Sequence, residues 1–162
     1  MAPDSYKIRE VRAHVVHEQA VEPAAVHWVT TPEGAARFWH GIIELHPMFD
    51  PAKEAVCVVM LNRKNRTIGW HFLTLGTATS AMCHPREVLR ICLVAGAVAF
   101  VVMHNHPSGD PTPSAADITA TRQVRDAARA VDMAFVDHVV IGQPAFDARG
   151  LGWFSFRQNG ML

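Results

Sequence analysis

Residues 104–117 read HNHPSGDPTPSAAD, and they join an apolar segment to an alanine-rich, polar one. The residues before them, 98–103, read VAFVVM and are apolar on both faces, which is typical of a central strand. A proline ends that strand, and the loop residues 108–113 turn the chain. Ser114 then stands where a helix N-cap is expected, with Asp117 in the first turn. The stretch therefore predicts a strand, a loop and a helix in direct succession.

Two histidines at the end of the predicted strand can act together. Residues two apart in a strand face the same side, so His104 and His106 project together, and the short loop returns Asp117 towards them. Two imidazoles and one carboxylate match a three-ligand zinc site, which leaves a fourth position for water and is typical of catalytic zinc. The alternative is that His-x-His arises by chance and that Ser114 and Asp117 form only a capping pair.

A zinc hydrolase also needs a carboxylate that accepts the proton of the attacking water. The chain has seven glutamates, and most of them suit helix ends or the N-terminal part. Glu54 differs, because it opens the strongly apolar segment 55–61, AVCVVML. Its position favours a site residue, with a simple charge at the strand edge as the alternative.

The remaining pattern predicts a mixed α/β protein. Residues 30–45 indicate a helix with a Thr30–Glu33 capping box and with Phe38, Ile42 and Leu45 at helical spacing. The other predicted elements are a loosely alternating strand at 5–17, a hairpin at 55–76, helices at 84–97 and 114–132, and strands at 98–104, 133–142 and 153–156. We expect residues 1–29 to be an N-terminal extension, a strand packed on the domain, and residues 30–162 to be the domain itself.

Composition excludes several classes of protein. The 162 residues are 49% hydrophobic, enough for a core, and carry 15 basic and 15 acidic residues, so no basic excess favours nucleic acid. The chain has no apolar run of the ~18 residues that a membrane span needs and no signal-like N-terminus. Its three cysteines have no CxxC spacing, and Cys57 and Cys92 fit a buried apolar role. We expect a cytoplasmic protein that neither enters a membrane nor binds nucleic acid strongly.

These residues resemble a known family. The order Glu54, His104-x-His106, Ser114 and Asp117 is similar to the JAMM motif of JAB/MPN-domain metalloproteases. The surrounding sequence is closest to the RadC-like branch, through the segments HPREVL at 84–89, VDHVVIG at 136–142 and FSFRQNG at 154–160, along with residues 104–117. The resemblance spans about residues 30–160.

The resemblance implies a JAB/MPN fold, a mixed β-sheet flanked by helices and related to the cytidine deaminase architecture. It implies Zn²⁺ on His104, His106 and Asp117, with Glu54 as general base and Ser114 as hydrogen-bond donor to the oxyanion. The function implied is a zinc metallopeptidase or isopeptidase, whose polypeptide substrate would include the tail of a ubiquitin-like protein. A non-catalytic, DNA-repair-associated accessory domain is the alternative. The sequence indicates neither the substrate nor the oligomeric state.

Three further polar residues have a structural and a functional interpretation. His138 fits a buried, hydrogen-bonded histidine better than a fourth metal ligand, since a fourth ligand would close the site. Asn105 faces away from the two histidines, so we expect it to pin the loop rather than to bind a metal ion. Asp110 is expected to order its loop, with substrate contact as the alternative.

Overall fold

The computed structural model of the protein describes residues 29–76 and 83–162. The strand predicted at 5–17, and all but the last residue of the predicted extension 1–29, lie outside the described residues. Within the described ranges, no helix has the length and apolar character needed to cross a lipid bilayer.

Helices and strands alternate along the described chain. The helices are α1 (Pro32–Phe38), continued by a π-helical turn (Trp39–Ile43), α2 (Pro85–Val94), α3 (Ala115–Ala130) and a short 3-10 helix (Pro144–Phe146). The strands are β1 (Ala55–Leu61), β2 (Thr67–Leu75), β3 (Ala99–Asn105), β4 (Ala134–Ile141) and β5 (Trp153–Ser155). Apart from the 3-10 helix, these elements lie where the sequence predicts them, and their ends differ from the predicted ends by up to three residues.

The strands form one mixed sheet in the order β2-β1-β3-β4-β5. β1 runs antiparallel to β2 and β3, β3 runs parallel to β4, and β4 runs antiparallel to β5. The crossover through α3 is required because parallel neighbours cannot be joined by a tight turn. Every residue of β3 is buried, which confirms the central strand that the apolar segment predicts. The α/β architecture, a mixed sheet flanked by helices, is the one that the JAB/MPN resemblance implies.

The sheet buries both of its faces, and this decides where the site can form. Trp39 and Ile43 pack on one face, and Val88 of α2 and Val124 of α3 pack on the other. Because side chains alternate along a strand, His104 projects to the face covered by α2 and α3. The end of β3 is therefore the place where an imidazole can meet the first turn of α3.

The first helix begins one residue later than the sequence predicts. Its N-cap is Thr31 rather than Thr30, because the Thr31 Oγ1 accepts a hydrogen bond from the Gly34 N–H at 3.1 Å. The cap therefore lies one residue later than the Thr30–Glu33 capping box predicts.

The buried face of this helix also differs from the prediction. The π-helical turn adds a residue to one turn and so rotates the apolar spacing. Trp39 and Ile43 are fully buried, whereas Leu45, predicted to face the core with Phe38 and Ile42, is 75% exposed. A π-turn leaves no signature in apolar spacing alone, so the sequence pattern could not predict this shift.

Candidate metal centre

The two histidines are held by the end of the sheet. His104 lies within β3, and His106 is the first residue after it. The His106 N–H donates to the Ile141 carbonyl oxygen at 2.9 Å, which extends the parallel pairing of β3 and β4 by one residue. Since the extended backbone continues to His106, both imidazoles face the same side, as the spacing predicts.

The loop after His106 is fixed by its own hydrogen bonds and by the end of β4. Gly109 has φ +83°, a left-handed conformation that favours glycine, and its carbonyl oxygen accepts from the Gln143 N–H at 2.7 Å. The Asp110 side chain accepts from the Thr112 N–H at 2.8 Å, which confirms its predicted role in ordering the loop. The Asp110 carbonyl oxygen lies 2.8 Å from Nδ1 of His106 and so orients that ring.

Ser114 and Asp117 form the capping box of α3 and also face the histidines. The Ser114 Oγ accepts from the Asp117 N–H at 3.1 Å, and the Ser114 N–H donates to Asp117 Oδ2 at 2.7 Å. The two Asp117 oxygens lie 3.4 Å from the Nε2 atoms of His104 and His106. The same hydrogen bonds that cap α3 therefore also orient the Asp117 carboxylate towards the histidines.

The three side chains converge on one point. The Nε2 atoms of His104 and His106 lie 3.0 Å apart, and one ligand atom from each of the two histidines and Asp117 lies within 4.8 Å of the others. The Asp110 carbonyl can only accept, so the His106 Nδ1 carries a proton and its Nε2 is the atom free to bind a cation. The group could therefore hold a metal ion.

Electrostatics at this point favour positive charge. Burial alone would raise the pKa of Asp117, but the hydrogen bonds from His104 and His106 hold that pKa well below its usual value. Burial alone would lower the pKa of His106, but Asp117, the Asp110 carbonyl and the charge of Glu54 raise it above its ordinary value. Both directions show that the negative charge of Asp117 and a positive charge at the histidines stabilise each other.

A cavity of about 190 Å³ opens over this cluster and contains all the predicted site residues. It is lined by Glu54, Val56, Cys83, His104, His106, Ser114, Ala116, Asp117, Ala120 and His138. Glu54 is half-buried and precedes β1, and its side chain falls on the same sheet face as Val56, two residues later. The structure thus brings together residues that are up to 84 positions apart in the sequence, from Glu54 to His138.

Asn105 holds the chain on both sides of Glu54. Its side-chain oxygen accepts from the Ala55 N–H at 2.8 Å, and its amide donates to the Lys53 carbonyl at 3.1 Å. The Glu54 carbonyl in turn accepts from the Gly76 N–H at 2.9 Å. Asn105 therefore has a pinning role, but the segment that it holds is the one that carries Glu54 and not the loop after His106 that the sequence predicted.

His138 and Thr121 complete the site behind His104, and the sequence reasoning only partly identified them. His138 is 3% exposed, and its Nε2 is hydrogen-bonded to His104 while its Nδ1 is hydrogen-bonded to Thr121. It is therefore a buried, hydrogen-bonded histidine, as predicted. Burial lowers its pKa well below the usual value. Thr121 lies one turn after Asp117 on the inner face of α3, where a threonine between apolar residues resembles an ordinary core position. The role of Thr121 was missed for this reason.

The comparisons with known proteins identify the family to which the chain belongs. The family model described as the RadC-like JAB domain matches residues 29–161, and the chain belongs to that family. Similar curated proteins are a UPF0758 protein of Thermotoga maritima, 40% identical over 68% of this chain and 46% of that protein, and one of Symbiobacterium thermophilum, 41% identical over 65% and 42%. Another, from Cyanothece sp., is 33% identical over 82% of this chain and 47% of that protein. The chain spans about half the length of the curated relatives it matches.

Proposed function

We propose that this chain is a zinc-dependent metallohydrolase that cleaves an amide bond in a polypeptide, as a peptidase or isopeptidase. The observation that carries the proposal is the single cavity in which Glu54 and Ser114 lie beside the cluster of His104, His106 and Asp117. A metal site that served only the fold would need neither a second carboxylate nor an opening to solvent.

The donor atoms fit zinc. Two imidazole Nε2 atoms and one carboxylate are a common ligand set for catalytic zinc, and Nδ1 of His106 already donates to a backbone carbonyl, the usual second bond of a zinc-binding histidine. Zinc held there would supply Lewis acidity towards water and the substrate carbonyl. The remaining chemistry belongs to the side chains around it.

Glu54 is proposed as the general base. Its carboxylate would accept a proton from the attacking water and pass that proton to the leaving amine. Its backbone is fixed on both sides by Asn105, so the carboxylate is carried by a rigid strand end rather than by a mobile loop.

Ser114 is proposed as the oxyanion donor. In the structure its hydroxyl donates to Asp117 Oδ2 at 2.6 Å, while its Oγ accepts from the Asp117 N–H. A small rotation of the O–H about the Cβ–Oγ bond would direct the proton into the cavity without moving Oγ from its capping position. The hydroxyl could then stabilise the oxygen that gains negative charge when the amide carbonyl is attacked.

The sheet supports an extended polypeptide as substrate. β2 lies at the edge of the sheet and, among the described residues, pairs only with β1. A polypeptide could add to this edge as a further strand through backbone hydrogen bonds. The last residue of β2, Leu75, lies opposite Ala55, so such a strand would run towards the end of the sheet that carries Glu54.

Within this class of substrate, we propose the tail of a ubiquitin-like protein joined to lysine as one candidate. A tail of this kind is extended and ends in the amide bond that the cavity would receive. A reducing compartment such as the cytoplasm suits the protein, because all three cysteines are free and buried.

The test compares wild type with Glu54→Gln on a panel of peptide, isopeptide-linked and phosphodiester substrates. The variant is expected to keep the fold and the bound zinc but to lose hydrolysis of the amides, because an amide side chain cannot accept the proton. Glu44→Gln is the matched control, since Glu44 lies after the π-helical turn and pairs with His40 at 3.0 Å.

Glu44→Gln should retain wild-type turnover. Wild-type turnover in Glu54→Gln would show that Glu54 is not the general base and is only a charge at the strand edge. Zinc-dependent cleavage of the phosphodiesters alone would contradict the amide as the target.

A further inference from the structure

A buried histidine lies directly behind His104, on the side away from the other candidate ligands. His138 Nε2 is 2.9 Å from Nδ1 of His104, and His138 Nδ1 is 2.6 Å from the Oγ1 of Thr121. The other nitrogen of His104, Nε2, faces His106 and Asp117. Although His138 also lines the cavity, the candidate ligand to which its ring is hydrogen-bonded is His104.

The hydrogen bonds that link His104, His138, Thr121 and the Asp117 carbonyl have only one consistent direction. The Thr121 Oγ1 lies 2.6 Å from the carbonyl oxygen of Asp117, which can only accept, so the single hydroxyl proton of Thr121 points there. His138 Nδ1 must then carry a proton and donate to Thr121. A neutral imidazole with its proton on Nδ1 has a bare Nε2, and that atom can accept only from a protonated Nδ1 of His104.

We propose that His138, held by Thr121, is a positioning residue that fixes the metal-binding tautomer of His104. With its proton on Nδ1, His104 presents a bare Nε2 to the point where His106 and Asp117 converge. The inference deepens the proposed function and rests on it, because it assigns the groups that prepare the first ligand.

The two candidate histidine ligands are oriented by different means, which explains why His104 needs a chain of two side chains. The ring of His106 meets a backbone carbonyl, which accepts in every state. The ring of His104 is hydrogen-bonded to another imidazole, that of His138, which can donate or accept. The direction of this hydrogen bond must therefore be fixed by the next partner of His138. Thr121 sets it through the carbonyl of Asp117, and the helix turn that supplies the third ligand therefore also orients the first.

Packing restricts His138 to this role. Its ring stacks on Phe156, with ring centroids 4.8 Å apart and planes at 11°, and the residue is only 3% exposed. To bind a metal ion itself, His138 would have to break the bond to His104 and leave this stack.

The first test reads the tautomers in the unaltered, zinc-loaded protein by long-range ¹H–¹⁵N NMR of ¹⁵N-labelled histidines. We expect His138 to carry its proton on Nδ1 with a bare Nε2, and His104 to carry its proton on Nδ1 with zinc on Nε2. A His138 with its proton on Nε2 would overturn the proposal, and this measurement does not depend on any variant folding.

The second test measures zinc affinity by competition with a chelator. His138→Phe keeps an aromatic ring but has no acceptor, and it should bind zinc roughly 10- to 100-fold more weakly, the usual cost of losing such a partner. Thr121→Val should also weaken binding, and Thr121→Ser, which retains the hydroxyl, should restore it. Phe156→Leu is the matched control: it disturbs the packing of the same ring but leaves the hydrogen-bond chain intact, so it should keep wild-type affinity.

The outcomes separate this inference from the proposed function. Wild-type affinity in both His138→Phe and Thr121→Val would overturn the positioning role while leaving the metal site intact. Equal weakening in Phe156→Leu and His138→Phe would also overturn it, since packing alone would then explain the loss. A wild-type protein that binds no zinc would reject the metal site and the positioning role together.

Discussion

Asp117 illustrates how much a single residue contributes to this site. Its backbone N–H and one carboxylate oxygen complete the cap of α3, its two oxygens face the histidines, and its carbonyl accepts from Thr121. The spacing of two histidines, a serine and an aspartate was enough to predict the cluster, because a strand end and a helix start fix those positions. The carbonyl contact to Thr121 was not predictable, since backbone acceptors leave no mark in the sequence.

Ser114 has a structural role and a proposed catalytic role, and a glycine can separate them. Glycine is a tolerated N-cap residue, so Ser114→Gly should change the free energy of unfolding by only a few tenths of a kcal/mol. The loss of the hydroxyl should nevertheless lower kcat on an amide substrate by about 100- to 1000-fold, the usual effect of removing an oxyanion donor.

The measurements are thermal unfolding, zinc content and kcat. Thr31→Gly provides the matched control, because Thr31 caps α1 on the other face of the sheet. Thr31→Gly should leave kcat unchanged. If Ser114→Gly turned over substrate at the wild-type rate, Ser114 would be a helix cap and nothing more.

At the scale of elements, the order of strands and helices followed from apolar patterning, but the way the loops meet did not. Residues 107–113 are held against the end of β4, where the Gln143 N–H donates to the Gly109 carbonyl oxygen. This contact depends on tertiary packing between loops 30 or more residues apart, which no local pattern encodes.

Gly142 tests whether that contact positions the site. A Cβ at this position would lie 2.3 Å from the Gly109 carbonyl oxygen and 2.8 Å from Pro111, so one of the two loops must move. We expect Gly142→Ala to cost about 1–3 kcal/mol of stability, as overpacking does, and to weaken zinc binding by displacing the Asp110 carbonyl from His106.

Gly96→Ala is the control for this experiment. Gly96 has φ +68° with no atom within 4 Å of an added Cβ, and it precedes β3 at the opposite end from the histidines. Gly96→Ala should lose stability only because alanine is strained at this positive φ, and it should keep full zinc affinity. Equal zinc affinity in both variants would show that the loop contact does not position the site.

At the scale of the whole molecule, the balance of charges predicts weak binding to nucleic acid. With 15 basic and 15 acidic residues, the chain lacks the excess that drives non-specific binding to phosphates. We expect weak binding of single-stranded and duplex DNA at physiological salt in fluorescence anisotropy. Tight binding with a steep salt dependence would instead favour the DNA-repair-associated alternative.

The amino-acid sequence predicted the fold class and five of the residues that line the cavity, because both depend on local spacing combined with one sheet; these residues are Glu54, His104, His106, Ser114 and Asp117. It did not predict the π-helical turn, the Thr121–His138 chain or the closeness of Cys83 to the site, because these arise from packing between distant elements.

The most direct test of the central claim is the zinc content of the purified protein, measured by elemental analysis beside four variants. The account predicts one zinc per wild-type chain and a sharp loss in His104→Ala, His106→Ala and Asp117→Ala, since two protein ligands hold zinc poorly. His40→Ala, an exposed histidine paired with Glu44, should keep the wild-type content. Unchanged zinc in all three ligand variants, or no zinc in the wild type, would contradict the metal centre.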